Sequence, residues 1–178
     1  LRSKPLAIVT GPAHSAKSET IQGFAQTLTG GDAIRCQMMN GHPWWAETSG
    51  DVCFFVEAQT RFNSAKLLAV MEEAWQPENA KRVFVACLTH ISPAELIGYF
   101  TDVAFQLRHN RIMRLPHVHL VQPVPFPRNL LLIGTMDTSR VDWSDEDLLS
   151  QTTIIQWRET EKRLAVEPDQ IISGLGES

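Results

Sequence analysis

Leu6–Ser18 reads LAIVTGPAHSAKS, and this stretch decides the fold class. Leu6 to Thr10 is a short apolar run followed at once by Gly11-Pro12, the pattern of a buried strand entering a turn. From about Ala16 to Leu28, the apolar residues Ile21, Phe24, Ala25 and Leu28 recur at helical spacing, and Gly30-Gly31 stops the helix. Between strand and helix, GPAHSAKS (Gly11–Ser18) has the spacing GxxxxGK[ST], with Ala16 in place of the second glycine. A loop of this kind wraps its backbone N–H groups around phosphates at a helix N-terminus. Its lysine reaches the outer phosphates, and its hydroxyl ligates magnesium. The candidate nucleotide-binding residues are therefore Gly11, Pro12, Ala13, His14, Ser15, Ala16, Lys17, Ser18 and Glu19. Ser18 is the metal candidate, through magnesium only. A Cβ at Ala16 costs about 1–2 kcal/mol if φ there is positive. The competing reading is an ordinary strand–turn–helix that contains Ala-Lys-Ser.

Working outward, Ala33–Met39 reads as a strand and Asn40–Asp51 (NGHPWWAETSGD) as irregular. Asp51–Val56 fits a strand or a buried helix segment. Asn63–Trp75 is an amphipathic helix capped by Asn63 or Ser64. Val83–Leu88 (VFVACL) is apolar throughout, as a central parallel strand is. Ser92-Pro93 opens a helix with Glu95 at its third position, running to about Leu107. Ile112–Val121 alternates like a hairpin or connecting strand, and Pro123, Pro125 and Pro127 mark an extended linker. Asn129–Thr135 is a further buried strand, Asp145–Leu149 a short helix and Thr153–Trp157 a last strand. Strands alternating with helices predict an α/β fold: a mainly parallel sheet in three α/β/α layers. Its chemistry is expected at the strands' carboxyl ends, after Thr10, Leu88 and Thr135.

A chain of 178 residues suits one domain with a sizeable core. The net charge of −4 gives no electrostatic reason for an obligatory nucleic-acid partner. Charge is nevertheless uneven. Arg108, His109, Arg111 and Arg114 cluster, against an acidic run of Asp142, Asp145, Glu146 and Asp147. The basic cluster suits a solvated loop, DNA phosphates, or an acidic neighbour in a ring. Three cysteines (Cys36, Cys53, Cys87) without CxxC spacing support neither a disulfide framework nor a zinc knuckle, and a reducing, cytoplasmic setting is expected. No apolar run nears the ~18 residues of a membrane span. His117 and His119 read as solvent-facing hairpin residues rather than a metal pair, and Trp44-Trp45 as a core or interaction element. The initial Leu1 and the SGLGES tail read as cuts in a longer polypeptide. Residues 1–157 are expected to form the core, with 158–178 a tail or the start of a following segment.

Asn129–Thr138 reads NLLLIGTMDT, preceded by VPFPR. Ala86–Phe100 reads ACLTHISPAELIGYF, and Trp143–Trp157 reads WSDEDLLSQTTIIQW. Together with the loop, these segments resemble the AAA+ P-loop NTPases, specifically their McrB-like (restriction GTPase, dynein-related) branch. There a sensor strand reads approximately NLxxIGTMNT and the Walker B strand continues as DEINRxxLSxxFGEL. The resemblance spans Leu6 to Trp157 and leaves no room for the family's helical lid. It implies ATP or GTP with magnesium as cofactor, a ring-type oligomer, and a role in a restriction or remodelling assembly. The departures imply lost catalysis. Ala86 and Cys87 align with the Asp-Glu pair, Asp137 with the sensor asparagine, and Ser150 with the arginine of a Leu-Asp-Arg segment. Without the acidic pair, a triphosphate lacks a well-held metal and an activated water. The expected role is a catalytically degenerate structural or regulatory module, with no catalytic residue, facing other domains of the chain or a protein partner. Two alternatives stay open. One is a nucleotide-binding switch using Lys17 and Ser18. The other is an active NTPase in which Glu19 or Asp137 supplies the carboxylate and Thr89 or His90 positions a water.

Overall fold

A strand apolar at every position needs cover on both faces, because successive side chains point to opposite sides. The computed structural model, which describes residues 4–41, 53–111, 114–115, 125–137 and 145–158, meets that requirement with three layers. Strands β1 (Leu6–Thr10), β2 (Cys36–Asn40), β3 (Phe84–Thr89), β4 (Leu130–Met136) and β5 (Thr152–Gln156) form one sheet in the order β2-β3-β4-β1-β5. All pairings are parallel, and Thr10 lies opposite Met136 on one side and Gln156 on the other. Every residue of β1, β3 and β4 is buried.

One face packs Leu6, Ile8, Ala86, Leu88 and Leu132 against Leu67 and Met71 of α2 (Cys53–Ala74) and against Tyr99, Phe100 and Val103. The other face packs Ala7, Val9, Val85, Cys87, Leu131 and Ile133 against Ile21 and Ala25 of α1 (Lys17–Thr29). On α1, the predicted apolar positions Phe24 and Leu28 are instead each 39% exposed, because the buried stripe is Lys17, Ile21, Ala25 and Thr29.

The third helical segment starts as α3 (Pro93–Leu96), passes through a π turn (Ile97–Thr101) and continues as α4 (Asp102–Arg108). Its start is the predicted capping box: Ser92 N–H donates to Glu95 Oε2 at 3.1 Å, and Glu95 N–H to Ser92 Oγ at 3.2 Å. Asp145 caps α5 (Glu146–Gln151) by accepting from Leu148 N–H at 2.7 Å.

Several expectations are corrected. The segment 33–35 is a turn closed onto the Asp32 carbonyl, so β2 begins at Cys36. Of the two readings of Asp51–Val56, the described part from Cys53 on is helix. Asn63 and Ser64 are interior to α2, not caps. Asn63 Nδ2 donates to the Asn40 carbonyl at 2.8 Å, and Ser64 Oγ lies 2.8 Å from the Tyr99 hydroxyl. Trp44, Trp45, His117, His119, Pro123 and the tail from 159 lie outside the described residues, as does most of Ile112–Val121. Among the described residues, no helix is long and apolar enough to cross a membrane.

Two buried acids make the core sensitive to alkali. Burial pushes the Cys87 thiol from the ordinary 9.0 up to about 12, with nearby Cys36 adding to the rise. Burial likewise lifts Tyr99 from 10.0 to about 12; the Ser64 hydrogen bond pulls it down and Glu95 pushes it up. Both stay protonated in the folded chain after the unfolded chain has ionised. Stability is then full below about pH 9 and falls as pH rises toward 12. Urea midpoints measured from pH 8 to 11 should decline; a flat profile would contradict this.

Candidate phosphate-binding site

In a parallel sheet the loops leaving the carboxyl ends meet at a crevice where the chain switches direction. Here β1 sits between β4 and β5, so the loop after β1 and the residue after β4 face each other. The loop Gly11–Ala16 leaves β1 with Gly11 N–H donating to the Met136 carbonyl at 3.2 Å. Gly11 is held small by its neighbour: a Cβ there would lie 2.7 Å from the Trp157 carbonyl oxygen. Two non-glycine residues of the loop are left-handed, His14 (φ 59°) and Ala16 (φ 55°). The strain foreseen at Ala16 is therefore present. Ala16→Gly should stabilise the chain by about 1 kcal/mol, a rise in Tm of roughly 2–4 °C. A thermal melt with no rise would show that the loop relaxes around the methyl group.

α1 starts at Lys17 with no side-chain cap, which leaves its first-turn N–H groups to meet an anion or water. The Lys17 side chain is only 2% exposed. Its Nζ donates to the carbonyls of Gly11 at 3.2 Å and Pro12 at 2.5 Å, and to Ser15 Oγ at 3.1 Å. It also forms an ion pair with Asp137 Oδ1 at 2.9 Å. Ser18 Oγ lies 3.4 Å from Thr135 Oγ1, which accepts from His90 N–H at 2.9 Å. Ala13, His14, Ser15, Ala16, Lys17, Ser18, Glu19, Gly41, His90, Ile91, Ser92, Pro93 and Asp137 line a cleft of about 930 Å³. That volume is within the range of small-molecule and cofactor sites. A smaller hollow of about 270 Å³ adjoins it at Thr10, Gly11, Pro12, Asp137, Gln156, Trp157 and Arg158.

The positions at the tip of β3 need correction. Ala86 and Cys87 are 0% exposed within the strand, with Cys87 paired opposite Ile133 and Met38. They do not face the loop. The residues that reach the carboxyl end are Thr89 and His90, and His90 lines the cleft with φ 57°. Thr89 Oγ1 is turned aside, 2.9 Å from Asn40 Oδ1. Neither residue is acidic. Glu95, the next acid along the chain, is buried and closes the cap of α3. Ser150 lies outside the cleft lining; its hydroxyl donates to the Asp147 carbonyl at 2.8 Å.

No family model matches the chain, and no curated protein matches it. Among solved structures, it is similar to PCH-2 of C. elegans, with a TM-score of 0.47 and 15% identity. The match covers 85% of this chain and 34% of that one, so the chain spans about a third of that protein's length. The chemistry of the cleft rests on its own residues.

Those residues suit a phosphate better than a metal. Lys17 and the uncapped start of α1 place N–H donors at the cleft, with Ala16 left-handed just before them. Ser18 and Asp137 are the side chains placed to touch a magnesium that a nucleotide would bring, and Asp137 is already committed to Lys17. Among the described residues, no group of three His, Cys, Asp or Glu side chains is placed to hold a metal ion. Sequence reading missed Thr135, which links Ser18 to the β3 tip. Its signal was its place at the expected carboxyl end of a buried strand, two residues before Asp137 in GTMD. The basic cluster also has a partner: Arg108 pairs with Asp147 at 2.9 Å and Glu146 at 3.8 Å, and His109 Nε2 lies 3.4 Å from Asp147. Part of the charge offered to a nucleic acid or ring neighbour is thus matched within the chain.

Proposed function

We propose that this chain is a catalytically degenerate AAA+-like phosphate-loop domain that serves as a structural or regulatory module of a larger protein and retains a phosphate-binding cleft. One observation carries the reading: a loop with left-handed His14 and Ala16, leading into the uncapped start of α1, lines a cleft with a β3 tip, Thr89-His90, that bears no carboxylate. Phosphoryl transfer depends on positioning and charge neutralisation around metal and water. Threonine and histidine at that tip do not replace an acidic pair in holding a hard cation. The loop side of the site keeps its binding parts, Lys17 and the start of α1. What the domain has lost is the group that would turn a bound nucleotide over. The McrB-like affinity is part of the proposal. It is supported by NLLLIGTMDT, whose residues Leu130–Met136 form β4 and whose Asp137 follows at the cleft, where that branch has its sensor strand.

The test is magnesium-dependent ATP and GTP turnover by the purified chain beside a Lys17→Ala control. Equal, background-level rates are expected. Turnover above the control would replace this reading by the alternative, hydrolysis through displaced residues, for which His90 in the cleft is the first group to substitute.

A further inference from the structure

We propose that Asp137 sets the phosphate affinity of the cleft: its carboxylate holds the anion position of Lys17, so a diphosphate or triphosphate group binds only by displacing it. The inference rests on the reading of the loop as a phosphate site. An ammonium has three protons, yet four acceptors lie within 3.2 Å of Lys17 Nζ. Three of them, the Gly11 and Pro12 carbonyls and Ser15 Oγ, belong to the loop itself and stay with the lysine. The fourth comes from the far side of the crevice, at the end of β4. Its side chain is 38% exposed, against 2% for Lys17. Asp137 is therefore the partner that can leave toward water.

Its presence has a physical reason. A buried ammonium without a counter-charge is costly, and the carboxylate neutralises it when no phosphate is there. The same charge opposes a ligand, because a phosphate oxygen needs the lysine proton that Asp137 accepts and is repelled by the carboxylate at close range. Part of the population is thus held in a state that cannot bind, and apparent affinity falls in proportion. Glu19, which also lines the cleft, adds negative charge that no ligand displaces from Lys17. His14 and His90 face the same space and offer imidazole donors to an anion once the carboxylate has moved.

The experiment compares the unsubstituted chain with Asp137→Asn and Asp137→Ser, each alone and combined with Lys17→Met. ADP and inorganic pyrophosphate are titrated calorimetrically without divalent metal, and each protein is melted without ligand. Asp137→Asn and Asp137→Ser should melt lower than the unsubstituted chain yet bind at least about tenfold tighter. The gain should vanish in the Lys17→Met background. A gain with ADP alone identifies a nucleotide as the ligand, and one with pyrophosphate alone identifies the free phosphate chain. Either supports the proposal. It is overturned if neither substitution tightens binding, including the case where no protein binds either probe, or if the gain persists without Lys17. A merely structural ion pair would lower the melting temperature and leave affinity unmoved. Turnover by the unsubstituted chain would sink the degenerate-domain reading without touching this comparison.

Discussion

Replacing Phe100 by alanine is expected to destabilise the domain by about 3–5 kcal/mol. Phe100 is 0% exposed and sits in the π turn between α3 and α4, against the buried face of the sheet. The sheet is shaped to receive it: a Cβ at Gly134 would lie 2.7 Å from Phe100 Cζ and 2.9 Å from Ile91 Cδ1. Removing the ring leaves a cavity that a parallel strand and a helix cannot close by small shifts. Urea denaturation should show a lower midpoint with an unchanged slope. A second substitution checks the cause. Gly134→Ala forces a methyl group into the ring and should destabilise the unsubstituted chain by about 1–3 kcal/mol. In the Phe100→Ala background its cost should shrink, because the cavity accepts the methyl group. Additive losses would mean that the two residues do not share this contact. The effect should reach the cleft as well, since Ile91 follows His90 directly and packs in the same cluster.

Lys17→Met should lower the affinity of the cleft for ADP by about 100-fold or more, the loss of a charge-assisted contact worth roughly 3 kcal/mol. Stability should change much less. Methionine fills most of the volume left by the lysine stem, and the carboxylate left behind is 38% exposed, so no unpaired charge is stranded in the interior. Asp137, at the exposed edge, turns to water when its partner is gone. The remaining cost is at the Gly11 and Pro12 carbonyls, which lose a donor. Calorimetric titration with ADP, beside a thermal melt without ligand, separates the two quantities. An unchanged ADP affinity would remove Lys17 from the binding site and with it the phosphate-loop reading.

Much of the molecule was legible in the chain. The apolar runs at Leu6–Thr10, Val83–Leu88 and Asn129–Thr135 could be buried on both faces only as inner strands, and β1, β3 and β4 are those strands. Ser92 and Glu95 carry a cap whose geometry is complete within one helical turn. GPAHSAKS announced both the loop and the strain at Ala16. These features share one property: the interacting groups are a few residues apart, so spacing alone specifies their geometry.

The tertiary structure decided the rest. Asn63 and Ser64 look like helix caps until Asn40 and Tyr99 arrive as their partners, which places them inside α2. A motif alignment selected Ala86 and Cys87, but β3 runs on to Thr89, paired with Asn40 of β2, which puts Thr89 and His90 at the strand tip. Asp137 could be read as an anion near a phosphate; that it holds Lys17 depends on β1 and β4 lying side by side. Local pattern determines periodicity and burial, because these follow from backbone geometry. Which residue ends a strand beside a cleft, and which charge meets which, depends on strand register and on the approach of segments far apart in the chain.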